Sequence, residues 1–258
     1  MHLLYPCDPF NKKVPDDAYA EEFVAAQAKG IPCSLFSAED FECGEFTARP
    51  AFPEGVEVVY RGWMLTPQRY GELQAAILAK GAKALTSEQQ YRHCHYLPEW
   101  YSLCEDLTPK TVFLAEDADF SIALSHHSWS AFFVKDYVKS LTTSRGSVAK
   151  NVQEIYEIVG LIKLYRGQIE GGVSIRQFED LSPETEERYF VLNGKAFACE
   201  GSAPDIVQDI AKRIQSPFFS VDIVLGANGT PRLIELGDGQ VSDRKKWPAQ
   251  RFVEIFHG

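Results

Sequence analysis

The 258-residue chain has no apolar run of the roughly 18 residues that a membrane-spanning helix needs. Its first residues, MHLLYPCDPF, lack the basic start and apolar stretch of a secretory signal. Six cysteines, at 7, 33, 43, 94, 104 and 199, include no CxxC pair. Cysteines so scattered read as reduced thiols, so no disulfide framework is expected and the expected location is cytoplasmic. His93-Cys94-His95 with Cys104 has the residue types for zinc, but its spacing fits no finger or ribbon, and a structural role is the better reading. Basic residues are too few for a general nucleic-acid or anionic-membrane binder: 26 Lys and Arg stand against 36 Asp and Glu, a net charge of −10. A local basic pocket is still allowed. No GxGxxG follows the first strand, and no GxSxG or spaced Cys/His pair points to a covalent nucleophile.

What is present is a globular composition, 45% hydrophobic, long enough for one large or two modest domains. The first third alternates strand and helix signals. Strands are expected at Leu3–Tyr5, Ile31–Phe36, Val56–Tyr60 and Lys83–Leu85, with helices at Ala18–Ala28 and Pro67–Lys80. That order means a small parallel α/β layer. Arg61-Gly62-Trp63 follows the third strand, where ligands of open α/β sheets gather. Arg61 could grip a substrate carboxylate or phosphate with Trp63 as a wall; equally, it could be a surface arginine beside a core tryptophan.

In the middle of the chain, AFFVKDYVK (131–139) alternates as a strand with Lys135, Tyr137 and Lys139 on one face. The hydroxylated loop Ser140–Ser147 follows, able to close over phosphates or to be only a loop. A helix at Asn151–Tyr165, Gly171-Gly172 and the strand Val173–Phe178, with Arg176 inside it, come next. Arg188 lies on the first strand of a hairpin turning at Asn193-Gly194. Arginine suits delocalised phosphate or carboxylate charge, although each arginine alone also fits a structural ion pair.

A second hairpin closes the set. The runs Ser220–Leu225 and Pro231–Leu236 flank Asn228-Gly229, and a two-residue turn there would put Asp222 directly across from Glu235. Opposed carboxylates about 5 Å apart repel unless a cation joins them, and hard oxygens suit Mg²⁺ shared with nucleotide phosphates. Asp238 could add a third oxygen. A solvated surface hairpin, or a longer loop from Gly226 to Gly229 with altered pairing, remains the alternative. The tail from Arg244 reads as a basic loop and a short amphipathic helix packed on the body.

Lysine strand, small-residue loop, helix, Gly-Gly, arginine strand, arginine hairpin and acidic hairpin follow one another in an order that resembles the ATP-grasp fold. The wording FVKDYVKS, GGVSIRQFEDL, EERYFVLNGK and FFSVDIVLGANGTPRLIELGDGQVS is similar to the clade named for two arginines and one lysine. The resemblance implies an α/β (α+β) architecture: a pre-ATP-grasp-like domain over residues 1–95 and an ATP-grasp domain over 96–258. It implies ATP and Mg²⁺ as cofactors. Lys135, assisted by Lys139, would contact ATP phosphates; Gln177, Phe178, Glu179 and Leu181 would form the hinge that holds adenine. Arg176 and Arg188 would meet phosphate or acyl-phosphate, Arg188 with Arg61 and Trp63 on the substrate side. Asp222 and Glu235 would hold magnesium, with Asp238 replacing the asparagine that relatives carry where this chain has Gly237. The implied activity is carboxylate–amine (or thiol) ligation through an acyl-phosphate, on a small-molecule or peptide acid and an amine. A kinase on this fold and a non-catalytic nucleotide-binding module are the alternatives. A homodimer is one option for the assembly.

Overall fold

The structure, a computed structural model, describes residues 1–141 and 143–257. The chain divides into two compact units. Met1–Arg92, Arg188–Val221 and Gly237–Gly258 make the first, and His93–Glu187 with Asp222–Leu236 make the second. This is a different partition from the two sequence domains expected above, because the first unit takes back two later segments.

The first unit begins with a parallel sheet in the order β2-β1-β3-β4, built from β1 (His2–Pro6), β2 (Cys33–Phe36), β3 (Glu57–Tyr60) and β4 (Lys83–Ala84). Helices α1 (Ala20–Ala28), α2 (Ala38–Glu42) and α3 (Pro67–Ala79) connect them. Leu3 and Tyr5 join Cys33, Leu35 and Val59 in one core, closed by Ala25 and Ala26 of α1. Leu4, Phe36, Val58 and Tyr60 belong to a second core, covered by Tyr70, Leu73 and Ile77 of α3. Burial on both faces explains why these strands read as short unbroken apolar runs. Thr66 caps α3 by accepting from the Arg69 amide at 3.3 Å, and Pro67 takes the first turn.

After α4 (Glu88–His95) and α5 (Leu97–Cys104), the second unit forms an antiparallel sheet in the order β5-β8-β6-β7. Its members are β5 (Thr111–Leu114), β6 (Phe132–Asp136), β7 (Val148–Ala149) and β8 (Val173–Gln177), with α6 (Phe120–Ala123) and α7 (Val152–Arg166) between them. One face, carrying Phe132, Val134, Val173 and Ile175, packs on Ile155, Ile158, Val159 and Ile162 of α7. The lysine strand is shorter than its sequence pattern. Asp136 ends β6 because its Oδ1 accepts from the amides of Val138 (2.8 Å) and Lys139 (2.5 Å), turning the chain so that Lys135 pairs with Ser140. Tyr137 and Lys139 therefore leave the strand face that Lys135 occupies.

A third sheet, β10-β9-β11-β12, is made by β9 (Leu181–Leu192), β10 (Lys195–Phe197), β11 (Phe218–Gly226) and β12 (Pro231–Asp238). α8 (Asp205–Arg213) precedes β11, and α9 (Ala249–Val253) follows β12, packed against α1 with Phe252 and Val253 buried. The Asn193-Gly194 turn has the expected form, with both residues at positive φ and Leu192 opposite Lys195. Among the described residues no helix is long and apolar enough to cross a membrane.

Ile175 sits at the centre of the α7-facing core. Ile175→Ala is expected to cost about 2–5 kcal/mol, read from the urea midpoint at constant slope.

Candidate active site

The non-helical face of the second unit's sheet carries charge. Lys135 lies opposite Ser174, and Arg176 lies opposite Phe133, so the two cations share a face as diagonal neighbours on adjacent strands. Both are buried, at 6% and 4% exposure. Lys135 Nζ donates to Glu235 Oε1 at 3.0 Å. Arg176 Nη1 donates to the Ile234 carbonyl at 2.8 Å, and Nη2 donates to the Thr108 hydroxyl, which itself donates to the Leu233 carbonyl at 2.7 Å. Arg176 Nε is buried without an acceptor. Burial pushes the Arg176 guanidinium down to about 10, against the opposing pull of Glu235 and Glu179.

The acids come from the β11–β12 hairpin, whose turn differs from the expected one. Gly226 N donates to Thr230 O at 2.9 Å, so three residues, Ala227 to Gly229, form the loop. Gly229 N reaches back to Gly226 O at 2.8 Å, and Gly229 takes φ 77°, the left-handed conformation of a bulge glycine. A two-residue turn would have paired Ala227 with Thr230. At the other end Gly239 N donates to Phe218 O at 3.1 Å, which is the expected register. β12 therefore absorbs one extra residue. Burial locates it: Leu233, Leu236 and Asp238 are buried, and that spacing skips a step between Leu233 and Leu236. The carbonyl that Arg176 holds, Ile234, lies in that skipped step. β11 is buried from Phe218 through Val224, so Asp222 is an interior carboxylate, whereas the Glu235 side chain is 43% exposed. The solvated-surface alternative does not describe Asp222.

Among the other predicted residues of the second unit, Gln177 and Phe178 have their amides committed to Lys110 O (2.7 Å) and Ala131 O (3.0 Å). Glu179 is held by Arg232 in a two-pronged pair, and Leu181 opens β9. Lys139 is exposed at the turn after β6. In the loop after β6, Arg145 binds Glu154, Glu157 and the Val148 carbonyl; Thr142 lies outside the described residues.

The remaining candidates belong to the first unit. Arg61 is 1% exposed, not a surface arginine. It makes a fork with Glu22 (2.7 and 2.9 Å) and donates to the carbonyls of Gly239, Gln240 and Ser242. Its guanidinium also lies 4.5 Å from the Phe252 ring centre. This is a clamp on the segment after β12, and it leaves Arg61 buried rather than turned to a ligand. Trp63 is 53% exposed, the reverse of a core tryptophan, and meets Tyr19 edge-on. Arg188 Nη1 donates to Asp243 Oδ1 at 2.8 Å. Asp238 is fully buried, its Oδ1 accepting from the amide and side chain of Gln240 at 3.0 Å and its Oδ2 without a hydrogen-bond partner. Among the described residues no three His, Cys, Asp or Glu side chains converge as a metal cluster, which includes the His93–Cys104 region. Thr108 and Arg232 escaped the sequence reading. Thr108 stands before Pro109 with no local pattern that marks it as a partner for an arginine, and nothing in PRLIE distinguishes Arg232 from a solvated strand residue.

A family model described as an ATP-grasp domain, family 3 of the clade named for two arginines and one lysine, matches residues 69–255. No curated protein matches the chain. Among solved structures, a RimK domain protein ATP-grasp from Sphaerobacter thermophilus DSM 20745 is 14% identical, with a TM-score of 0.62 and all of both chains covered. The ATP-grasp ligase PsnB, complexed with a phosphomimetic variant of minimal precursor, Mg and ADP, is 12% identical with a TM-score of 0.62, covering 99% of this chain and 95% of that one. D-alanyl-alanine synthetase A from Vibrio cholerae O1 biovar eltor is 13% identical with a TM-score of 0.61, covering 100% and 96%. At these identities the likeness shows the fold alone.

Two outcomes follow from the first unit's buried charges. Arg61→Met leaves Glu22 buried without its fork and is expected to cost about 3–5 kcal/mol in chemical denaturation, part of which Glu22→Gln in the same chain restores. Burial pushes the Asp238 carboxyl up from 3.8 to about 7. The folded state therefore holds this proton more tightly than the unfolded one. The contribution is full below pH 3.8 and is lost as pH rises through about 7. Asp238→Asn is expected to flatten the stability profile across that window.

Proposed function

Because the chain belongs to family 3 of the two-arginine, one-lysine clade of ATP-grasp domains, we propose that it is an ATP- and Mg²⁺-dependent ligase. It joins a carboxylate to an amine (or thiol) through an acyl-phosphate, on a small-molecule or peptide substrate. The observation that carries this reading is the pair of buried cations, Lys135 and Arg176, on one sheet face with the carboxylate of Glu235 on Lys135.

The donor set fits a magnesium nucleotide. Mg²⁺ takes one or two protein carboxylates and completes its shell with phosphate and water oxygens, so Asp222 and Glu235 suffice without a third acid. Buried and already held by Gln240, Asp238 is the weakest of the three candidates. The unpartnered Arg176 Nε is a buried donor suited to an anionic oxygen. Bound Mg²⁺ would neutralise phosphate charge. The chain's residues do the rest. Lys135 exchanges Glu235 for phosphoryl oxygens, and Arg176 holds the charge that develops as the phosphoryl group moves to the acid. Gln177, Phe178, Glu179 and Leu181 form the adenine hinge. With two amides of that hinge already bonded, its base-facing part begins at Glu179. Lys139 assists at the phosphates. Arg188 is proposed for the acyl-phosphate and, with Trp63, for the substrate. The clamp geometry of Arg61 supports a structural role instead.

Residues 1–95 and 96–258 are the proposed pre-ATP-grasp and ATP-grasp sequence domains. The proposed compartment is the cytoplasm, in keeping with six scattered cysteines that include no CxxC pair, and a homodimer is the proposed assembly to test by sedimentation. PsnB bound to its precursor and the synthetase of Vibrio cholerae give reason to screen both peptides and amino acids.

The test is ADP release with a panel of amino acids and short peptides, offering acid alone, amine alone and both. Ligation predicts ADP and phosphate only with both partners. ADP with a stable phospho-acid from acid alone would make the protein a kinase, and no ADP from any combination would leave a binding module. Lys135→Met is expected to lower kcat by about 10²–10³-fold in a folded protein.

A further inference from the structure

The Glu179–Arg232 pair has a geometry that charge neutralisation alone does not require. Arg232 Nε donates to Glu179 Oε2 and Nη2 to Glu179 Oε1, both at 2.8 Å, a flat fork with two parallel bonds. Arg232 Nη1 adds the Asp106 carbonyl at 3.1 Å. Both side chains are largely shielded, at 21% and 27% exposure. Glu179 lies on the connection between β8 and β9, two residues beyond β8. Arg232 lies on β12, three residues before Glu235. The next hinge residue is tied to the same hairpin, since the Asp180 carbonyl accepts from Ala227 N at 3.0 Å. The fork and this backbone bond, two independent ties, thus stitch the β8–β9 connection to the acid-bearing hairpin. The charge of Arg232 works against its neighbour, disfavouring the protonated form of Arg176. Its value to the site therefore lies in where it holds things.

We propose that the Glu179–Arg232 fork is a positioning pair, holding the base-facing hinge in register with the acid strand so that nucleotide and Mg²⁺ bind cooperatively. This rests on the nucleotide site proposed above. A nucleotide would span the two places, base at the hinge and Mg²⁺-bound phosphates beside Lys135 and Glu235, so a rigid link lets a cation at one end favour the base at the other. Such coupling is reciprocal: Mg²⁺ tightens ATP by the factor by which ATP tightens Mg²⁺.

The measurement is the ATP dissociation constant with and without Mg²⁺ by calorimetry, in the parent chain and in Arg232→Gln, Arg232→Lys, Glu179→Gln and the double exchange Glu179→Arg with Arg232→Glu. Arg232→Lys keeps the charge and loses the fork. The expected result is that the Mg²⁺-dependent tightening falls by about tenfold in all three single variants, including Arg232→Lys, and is recovered in the double exchange. A tightening factor that stays at the parent value in Arg232→Lys or Arg232→Gln overturns the proposal, whatever happens to the melting temperature. If the single variants do not fold, the double exchange decides: a folded double exchange with the parent factor supports the pair, and one without tightening overturns it. A parent chain with no Mg²⁺-dependent tightening overturns the nucleotide site itself, an outcome distinct from a parent that tightens and variants that tighten equally.

Discussion

Two cations buried side by side on one sheet face are the constraint around which the second unit is arranged. Lys135 and Arg176 occupy neighbouring strands, β6 and β8, and neither can stay charged in a dry environment without partners. β12 supplies them. Glu235 gives Lys135 a carboxylate, Ile234 gives Arg176 a carbonyl, and Leu233 fixes the Thr108 hydroxyl that Arg176 also uses. These three consecutive β12 residues lie where the strand takes up its extra residue. A bulge re-aims side chains and frees a carbonyl from the ladder, and here the freed carbonyl meets a guanidinium.

The first unit handles buried charge differently. Arg61 meets both oxygens of Glu22 and three carbonyls, with an aromatic ring beneath it. A guanidinium so provided for has little left to offer a ligand. Arg176 keeps a buried donor without an acceptor, and Lys135 meets a half-exposed acid that can be exchanged. An incomplete set of partners costs stability, and the nucleotide site proposed above, which would receive phosphoryl oxygens, is where that cost would have a use.

Much of this was legible in the chain. The parallel strands of the first unit, the capped α3, the Asn193-Gly194 turn and the order of lysine strand, arginine strand and acidic hairpin are local or sequential signals, and they hold. What failed depends on geometry that side-chain alternation does not encode. Asn228-Gly229 promises a two-residue turn, yet Gly229 serves as a bulge glycine and the pairing moves by one. Alternation carried the lysine strand to Lys139, yet the Asp136 side chain competes for the next amides and ends it. The surface-arginine, core-tryptophan alternative at Arg61 and Trp63 is reversed, arginine inside and tryptophan outside, because Glu22 in α1, 39 positions away in sequence, takes the guanidinium. Arg232 and Thr108 acquire meaning only from partners 53 and 68 residues distant.

The central claim is that Lys135 and Glu235 exchange each other for phosphate and Mg²⁺. Calorimetry of ATP binding, with and without Mg²⁺, on the parent chain, Lys135→Ala and Glu235→Ala tests it most directly. The account predicts Mg²⁺-dependent binding in the parent, weaker binding in folded Lys135→Ala, and loss of the Mg²⁺ dependence in folded Glu235→Ala. A folded parent without ATP affinity under any metal condition would contradict it and return the Lys135–Glu235 pair to a structural ion pair.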